Sequence, residues 1–238
     1  RERDGGAGDA AARARDWALA HGVGEIRLRA ERLHAEAIAR LDLRAEAQTE
    51  LTRLAGEMAA AGMDREAAAS RLALGKILAR TADNARAHET LERALAGLRA
   101  ADDRSGEVGA LVALAFQGSK GGDLAPSLSL AQSAVALARE IGDRWSEGEA
   151  LVAEAEQLAQ STSWEQASAR LKALQVEWKS VGPVKKSKSD QVWERFRAAC
   201  DLFFERFKNR DQEQIRTKFV DRDTAVAEIE ALVPEDGA

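Results

Sequence analysis

Apolar residues recur along this chain at spacings of three and four rather than two. Leu51, Leu54 and Met58 form one such set. Leu91, Ala94 and Leu98 follow 40 positions later, and Ala131, Ala134 and Ala138 another 40 on. These spacings put each set on one face of a helix. Between the sets stand short polar junctions in the same register. Ala61-Gly62-Met63-Asp64-Arg65-Glu66, Ala101-Asp102-Asp103-Arg104-Ser105-Gly106-Glu107 and Ile141-Gly142-Asp143-Arg144-Trp145-Ser146-Glu147 echo one another, with Gly22-Val23-Gly24-Glu25 as a weaker copy. Ala110-Leu111-Val112-Ala113 returns as Ala150-Leu151-Val152-Ala153, again 40 positions on. The pattern predicts helix, short turn, helix in each unit, with Ala82-Asp83-Asn84 and Gly121-Gly122-Asp123 as breakers between the two helices.

One such hairpin cannot bury its apolar face alone, whereas stacked neighbours can. The run Ala138-Arg139-Glu140-Ile141-Gly142-Asp143-Arg144, followed by Gly148-Glu149-Ala150-Leu151, resembles the tetratricopeptide family in its longer variant of roughly 40 residues. The resemblance extends over about residues 23–160. The family's Trp-Leu-Gly-Tyr signature is missing, and the chain has no tyrosine. Generic antiparallel α-hairpins without a family relation remain the alternative. The resemblance implies protein or peptide binding on a concave face and identifies no ligand.

The pattern changes at Trp164. Ser163 with Gln166 makes a capping-box signature. Trp164, Ala167, Leu171, Leu174 and Trp178 then form a narrow seam that Gly182-Pro183 terminates. A basic loop, Val184-Lys185-Lys186-Ser187-Lys188, leads to Ser189 as an expected N-cap. A second seam follows: Trp193, Phe196, Cys200, Phe203 and Phe207. Two seams of matched period across a short loop are expected to pack antiparallel. Trp178-Lys179-Ser180-Val181-Gly182-Pro183-Val184 and the later stretch from Val192 to Phe204 are similar to the bacterial domain of unknown function 349, over about residues 160–215. Val192 stands where that family usually has Leu. The resemblance implies a helical fold and no chemistry. The helix from Trp164 to Ser180 lies 40 positions after Leu124 to Glu140, so it also fits the second helix of a fourth hairpin whose first helix runs from about Arg144 to Gln160. On that reading the block continues the stack.

Composition sharpens this picture. The chain is 45% hydrophobic and 32% charged with three prolines, which suits helices throughout. Its net charge of −5 argues against a nucleic-acid coat. Residues 164–220 nevertheless hold 13 Lys and Arg against 8 Asp and Glu, and 8 of the 11 aromatics. The tail from 221 to 238 holds six acids and one Arg. No stretch approaches the ~20 apolar residues of a membrane span. The single Cys200 excludes an internal disulfide framework and fits a cytoplasmic setting. The start at Arg1 points to a piece of a longer protein.

Candidate chemistry is sparse. His21, His34 and His88 lack metal-ligand spacing, so no metal, cofactor or catalytic residue is assigned. Cys200 sits on an apolar seam, where cysteine behaves as a small hydrophobe. Gly118-Ser119-Lys120-Gly121-Gly122 has its Lys before the last glycines and reads as a turn, not a phosphate loop. The candidate contact surface is Lys179, Lys185, Lys186, Lys188, Arg195 and Arg197, with Arg206, Lys208 and Arg210 beyond. Trp164, Trp178, Gly182, Pro183, Trp193, Phe196, Phe203 and Phe207 form the structural motif of the block, with its aromatics serving as core. Trp145 and Phe204 are expected to be the more exposed aromatics.

The sequence therefore predicts an all-α protein of antiparallel helical hairpins stacked as a tetratricopeptide-like solenoid. Residues 1–22 form a weak or helical N-terminal segment, 23–160 the repeats, 161–220 the basic aromatic pair, and 221–238 an acidic tail or the start of a further helix. The expected role is a non-enzymatic scaffold for a protein partner, a further copy of the chain included. RNA binding through the basic block is the alternative.

Overall fold

The computed structural model describes residues 2–41, 43–80, 83–118, 124–181 and 186–210, together with 220, 222, 224 and 226. They contain ten helices: α1 (Glu2–Ala20), α2 (Gly24–Arg40), α3 (Arg44–Ala60), α4 (Asp64–Leu78), α5 (Asn84–Ala100), α6 (Arg104–Gly118), α7 (Leu124–Glu140), α8 (Arg144–Ala159), α9 (Trp164–Val181) and α10 (Lys186–Lys208). The protein is all-α, with consecutive helices packed as hairpins.

The repeat is visible in where helices begin. α2, α4, α6 and α8 start 40 residues apart, and so do α3, α5, α7 and α9. The junction residues explain the register. Gly22, Gly62, Asp102 and Gly142 all take left-handed backbone, with φ of 67°, 73°, 52° and 69°. Each closes the preceding helix with the same pair of bonds. After α3, the Met63 N–H donates to the Met58 carbonyl (2.8 Å) and the Gly62 N–H to the Ala59 carbonyl (3.1 Å). This is a Schellman cap, which satisfies carbonyls the helix end would leave open. The next helix starts at once. Asp103 accepts from the Gly106 N–H (2.8 Å) and Asp143 from the Ser146 N–H (3.1 Å), each as an N-cap. Pro126 sits in the first turn of α7, where a missing N–H costs no helical bond.

The predicted apolar sets form the core. Leu51, Leu54 and Met58, then Leu91, Ala94 and Leu98, then Ala131, Ala134 and Ala138 are all buried. Leu171 and Leu174 extend the series into α9. Small residues let the helices approach closely: a Cβ placed on Gly97 would lie 2.8 Å from the Ala68 Cβ of α4.

The two rows of helices are not equivalent. α2, α4, α6, α8 and α10 each pack on the next member of their row. Among the described residues no comparable packing joins α3, α5, α7 and α9 to one another. Helices that touch on one side and splay on the other curve the stack, with the first row inside.

The C-terminal block continues the stack, as the 40-residue offset predicts, but its two helices pack on each other less than their matched seams suggest. α10 does run antiparallel to α9, but they meet through aromatic rings at their two ends, and α10 lies mainly along α8. Three contacts fix that parallel course. Val192 stands beside Gly148, Arg195 pairs with Glu156, and Arg206 donates to the Ala159 carbonyl (2.6 Å). α10 is thus the next first-row helix, and the stack continues through α9. Its start also differs. Lys186 opens α10, so Ser189 lies inside the first turn rather than at its cap, and Lys186 to Lys188 are helical rather than loop. The stack sets this start, close to 40 residues after that of α8. Gly182, Pro183, Lys185, the loop Ser119 to Gly122 and most of the stretch from Ile215 to Val233 lie outside the described residues.

Candidate functional site

The basic tip is the first surface to place. Lys179 is exposed in the last turn of α9. Lys186 and Lys188 fall in the first turn of α10, with their side chains outside the described residues. Arg195 has a different role. It donates to both oxygens of Glu156 (2.9 and 3.0 Å) and reaches Glu149 (3.3 Å), so it is a strut between α10 and α8. Arg197 pairs along its own helix with Asp201 (3.5 Å). Arg206 stacks over Trp164, and Arg210 over Phe207. The structure therefore brings Lys179, Lys186 and Lys188 to one end of the molecule, ties Arg195 and Arg206 into the fold, and leaves Arg197 on the exposed face of α10.

The aromatics act mainly as packing. Phe196, Cys200 and Phe203 are buried. Trp178 stacks on Phe196 with ring centroids 4.7 Å apart, and Trp164 meets Phe203 and Phe207 at 5.9 and 6.2 Å. Burial pushes the Cys200 thiol up from its ordinary pKa, which keeps it protonated. Trp145 and Phe204 are half-buried against the core rather than exposed, whereas Trp193 is 44% exposed. Trp145 is the second residue of α8, and helix formation turns it toward the stack.

A polar network crosses α7, α8 and α9. Glu154 is fully buried and receives two bonds from Arg170 (2.7 and 2.8 Å) and one from Gln132 (3.1 Å). Arg170 also bonds Glu177 (2.6 Å), which Arg139 bonds in turn (2.7 Å), and Arg139 bonds Glu147 (2.7 Å). Burial pushes the Glu177 pKa up, but bonds from Arg139 and Arg170 outweigh it and hold it below the ordinary range. These bonds link α7, α8 and α9 to one another.

The inner row carries two adjoining clefts that the sequence reading did not single out. One, of about 420 Å³, lies between α2 and α4. Its rim holds Arg32, Glu36, Arg40, Arg44, Lys76 and Arg80, and its floor is Ala39, Ala69, Leu72, Ala73 and Ile77. The other, of about 590 Å³, runs across α4, α6 and α8 and includes Arg65, Asp103, Ser105, Trp145 and Glu149. The signal was present as the 40-residue offset. Arg65, Ser105 and Trp145 occupy matching positions, as do Ala69, Gly109 and Glu149.

Among the described residues no group of three or more His, Cys, Asp or Glu could hold a metal ion. The histidines are used locally: His21 on the Trp17 carbonyl, His34 near the Gly8 carbonyl and His88 on Gln117. No helix among the described residues is long and apolar enough to cross a membrane.

Fold and surfaces together define a helical-repeat protein whose inner row carries two clefts of mixed polar and apolar lining. A model of the family described as Domain of Unknown Function (DUF349) matches residues 131–187, which is 57 of the 238 residues. The match includes just over half of α7, all of α8 and α9, and the first two residues of α10. It agrees with the motif-based extent over 160–187, begins earlier, and stops before the Trp193 to Phe204 motif. It contains every member of the Glu154 network. The tetratricopeptide resemblance is compatible with the stacked hairpins, without a family match of its own. The comparison with curated proteins returned no match.

Proposed function

We propose that this chain is a non-catalytic helical scaffold that mediates protein–protein interaction through the inner face of its stack. The observation that carries this reading is the continuous inner row, with its two adjoining clefts lined from matching positions of successive repeats. Stacked repeats characteristically present such extended concave surfaces to partners. Outside the clefts, charged side chains bridge neighbouring helices, as Arg170 with Glu154 and Arg195 with Glu156, which is structural use of charge. The test is affinity capture from the source cells with the full chain as bait, at about 200 mM salt. A defined partner that is retained by wild type and lost with Trp145→Ala/Glu149→Lys supports the reading. Recovery of the bait alone, or capture indifferent to those changes, overturns it.

A second reading is RNA binding at the basic tip, favoured by the meeting of Lys179, Lys186 and Lys188 at one end. Phosphate-driven binding to mixed RNA would fall steeply between about 50 and 200 mM salt, and further when Lys185, Lys186 and Lys188 become Glu. Lack of binding at the lower salt removes it.

A further inference from the structure

The cleft between α2 and α4 has a lopsided chemistry. Arg32, Lys76 and Arg80 line it with one carboxylate, Glu36, which is already paired with Arg32, while Arg40 and Arg44 on its edge have partners of their own. Lys76 and Arg80 have no carboxylate at ion-pair distance among the described residues. Other arginines bridge neighbouring helices, as at Arg53 with Glu31 and Arg170 with Glu154. Lys76 and Arg80 face the cleft together without such a bridge.

Lys76 occupies the shared wall of the two clefts. Its ammonium stands 3.7 Å from where a Cβ on Gly109 would be, so the glycine of α6 leaves room for it. Crowding by protein lowers its pKa against the pull of Glu149 and Glu36, although solvent still reaches the side chain. A carboxylate arriving beside it would relieve that cost. Below the cations the floor is small and apolar, formed by Ala69, Leu72 and Ala73 of α4 with Ala39 of α2.

We propose that this cleft takes an acidic peptide segment of a partner protein, with its carboxylates on Lys76 and Arg80 and its small apolar side chains on the alanine floor. The inference rests on the scaffold reading and names the chemistry of the partner. Several features favour peptide over nucleic acid. The alanine floor suits methyl groups rather than sugar and phosphate, and Asp103 and Glu149 follow in the next cleft along. A polyanion crossing both would meet those carboxylates, whereas a segment acidic at one end and neutral or basic at the other would match the polarity of the face.

The experiment uses the full chain and three fluorescein-labelled probes of equal length: an alternating Glu-Ala peptide, an alternating Gln-Ala peptide and an oligothymidylate. Anisotropy is read at about 50 and 200 mM salt. The expected result is that the Glu-Ala peptide binds most tightly and weakens with salt. Lys76→Gln/Arg80→Gln should weaken it about tenfold, with an unchanged far-ultraviolet circular dichroism spectrum, and Lys179→Gln at the distant tip should leave it unaltered. Equal binding of the Glu-Ala and Gln-Ala peptides overturns the proposal, as does tighter binding of the oligothymidylate or a loss equal to that of Lys179→Gln. Failure of all three probes at the lower salt also overturns it. None of those outcomes touches the scaffold reading, which falls only if capture with the whole chain yields no partner dependent on Trp145 and Glu149.

Discussion

Gly75 offers a quantitative test of how tightly the stack is packed. It lies in α4, and a Cβ added there would sit 2.4 Å from Leu91 Cδ2 and 2.6 Å from Leu91 Cγ of α5. Carbon atoms in contact prefer about 3.5–4.0 Å, so one partner must yield by roughly 1 Å. Leu91 is fully buried, and its Cγ is not a free end that can swing aside. Overpacking of this kind costs about 1–3 kcal/mol. Against it, replacing Gly by Ala within a helix contributes about 0.8–1 kcal/mol. The net expectation for Gly75→Ala is a loss of about 1 kcal/mol. Gly56 in α3 is the control, because it is exposed and a Cβ there meets nothing within 4 Å. Gly56→Ala should gain about 1 kcal/mol from propensity alone. The two identical substitutions should thus differ by about 2 kcal/mol, of opposite sign about wild type. Urea unfolding followed by far-ultraviolet circular dichroism measures both. In a stacked-repeat protein the change reports the interface between neighbouring helices. A Gly75→Ala protein as stable as Gly56→Ala would refute the close approach of α4 and α5.

Three further outcomes are expected. Asp102 holds the left-handed position that Gly22, Gly62 and Gly142 hold elsewhere, so Gly142→Ala should cost about 1–2 kcal/mol, while Asp102→Gly should gain up to about 1 kcal/mol, read from urea midpoints. Glu154→Ala should cost about 2–3 kcal/mol in the same assay, since Arg170 loses two bonds but, being one-third exposed, regains some water. Acid should unfold the protein through its bridged carboxylates. Burial raises the pKa of Asp103 and Glu177, but bonds from Arg65 and from Arg139 and Arg170 hold both below their ordinary values of 3.8 and 4.5. A depressed folded pKa gives stability that is complete above the unfolded value and lost as pH falls through the folded one. Thermal midpoints should therefore be level toward neutral pH and fall below about pH 4.5, and a fall beginning near pH 6 would contradict the assignment.

Much of this fold could be read from spacing. The 40-residue offset located every junction from Gly22 to Gly142, because a left-handed cap needs Gly or a tolerant residue at one fixed place per unit. The apolar sets named the core residues, since a helix face is a local property of the chain. Trp164 to Ser180 was recognisable as a second-row helix by the same offset. The start of α10 was not, because Ser189 is an equally good local cap and only the stack rejects it.

What the sequence by itself determined is therefore most of what is set within one helix or one turn: helix identity, register, the repeated junctions and the apolar faces. Tertiary structure decided which side of the stack is concave, that α10 lies along α8, and that Arg195 is a strut rather than a free cation. It also decided that Lys76 and Arg80 share a cleft with Arg32. These depend on distances between residues tens of positions apart, which a periodic pattern brings to the same face but does not bring into contact. The pairing of charges is decided by those distances, and so is the place where cations are left without a partner.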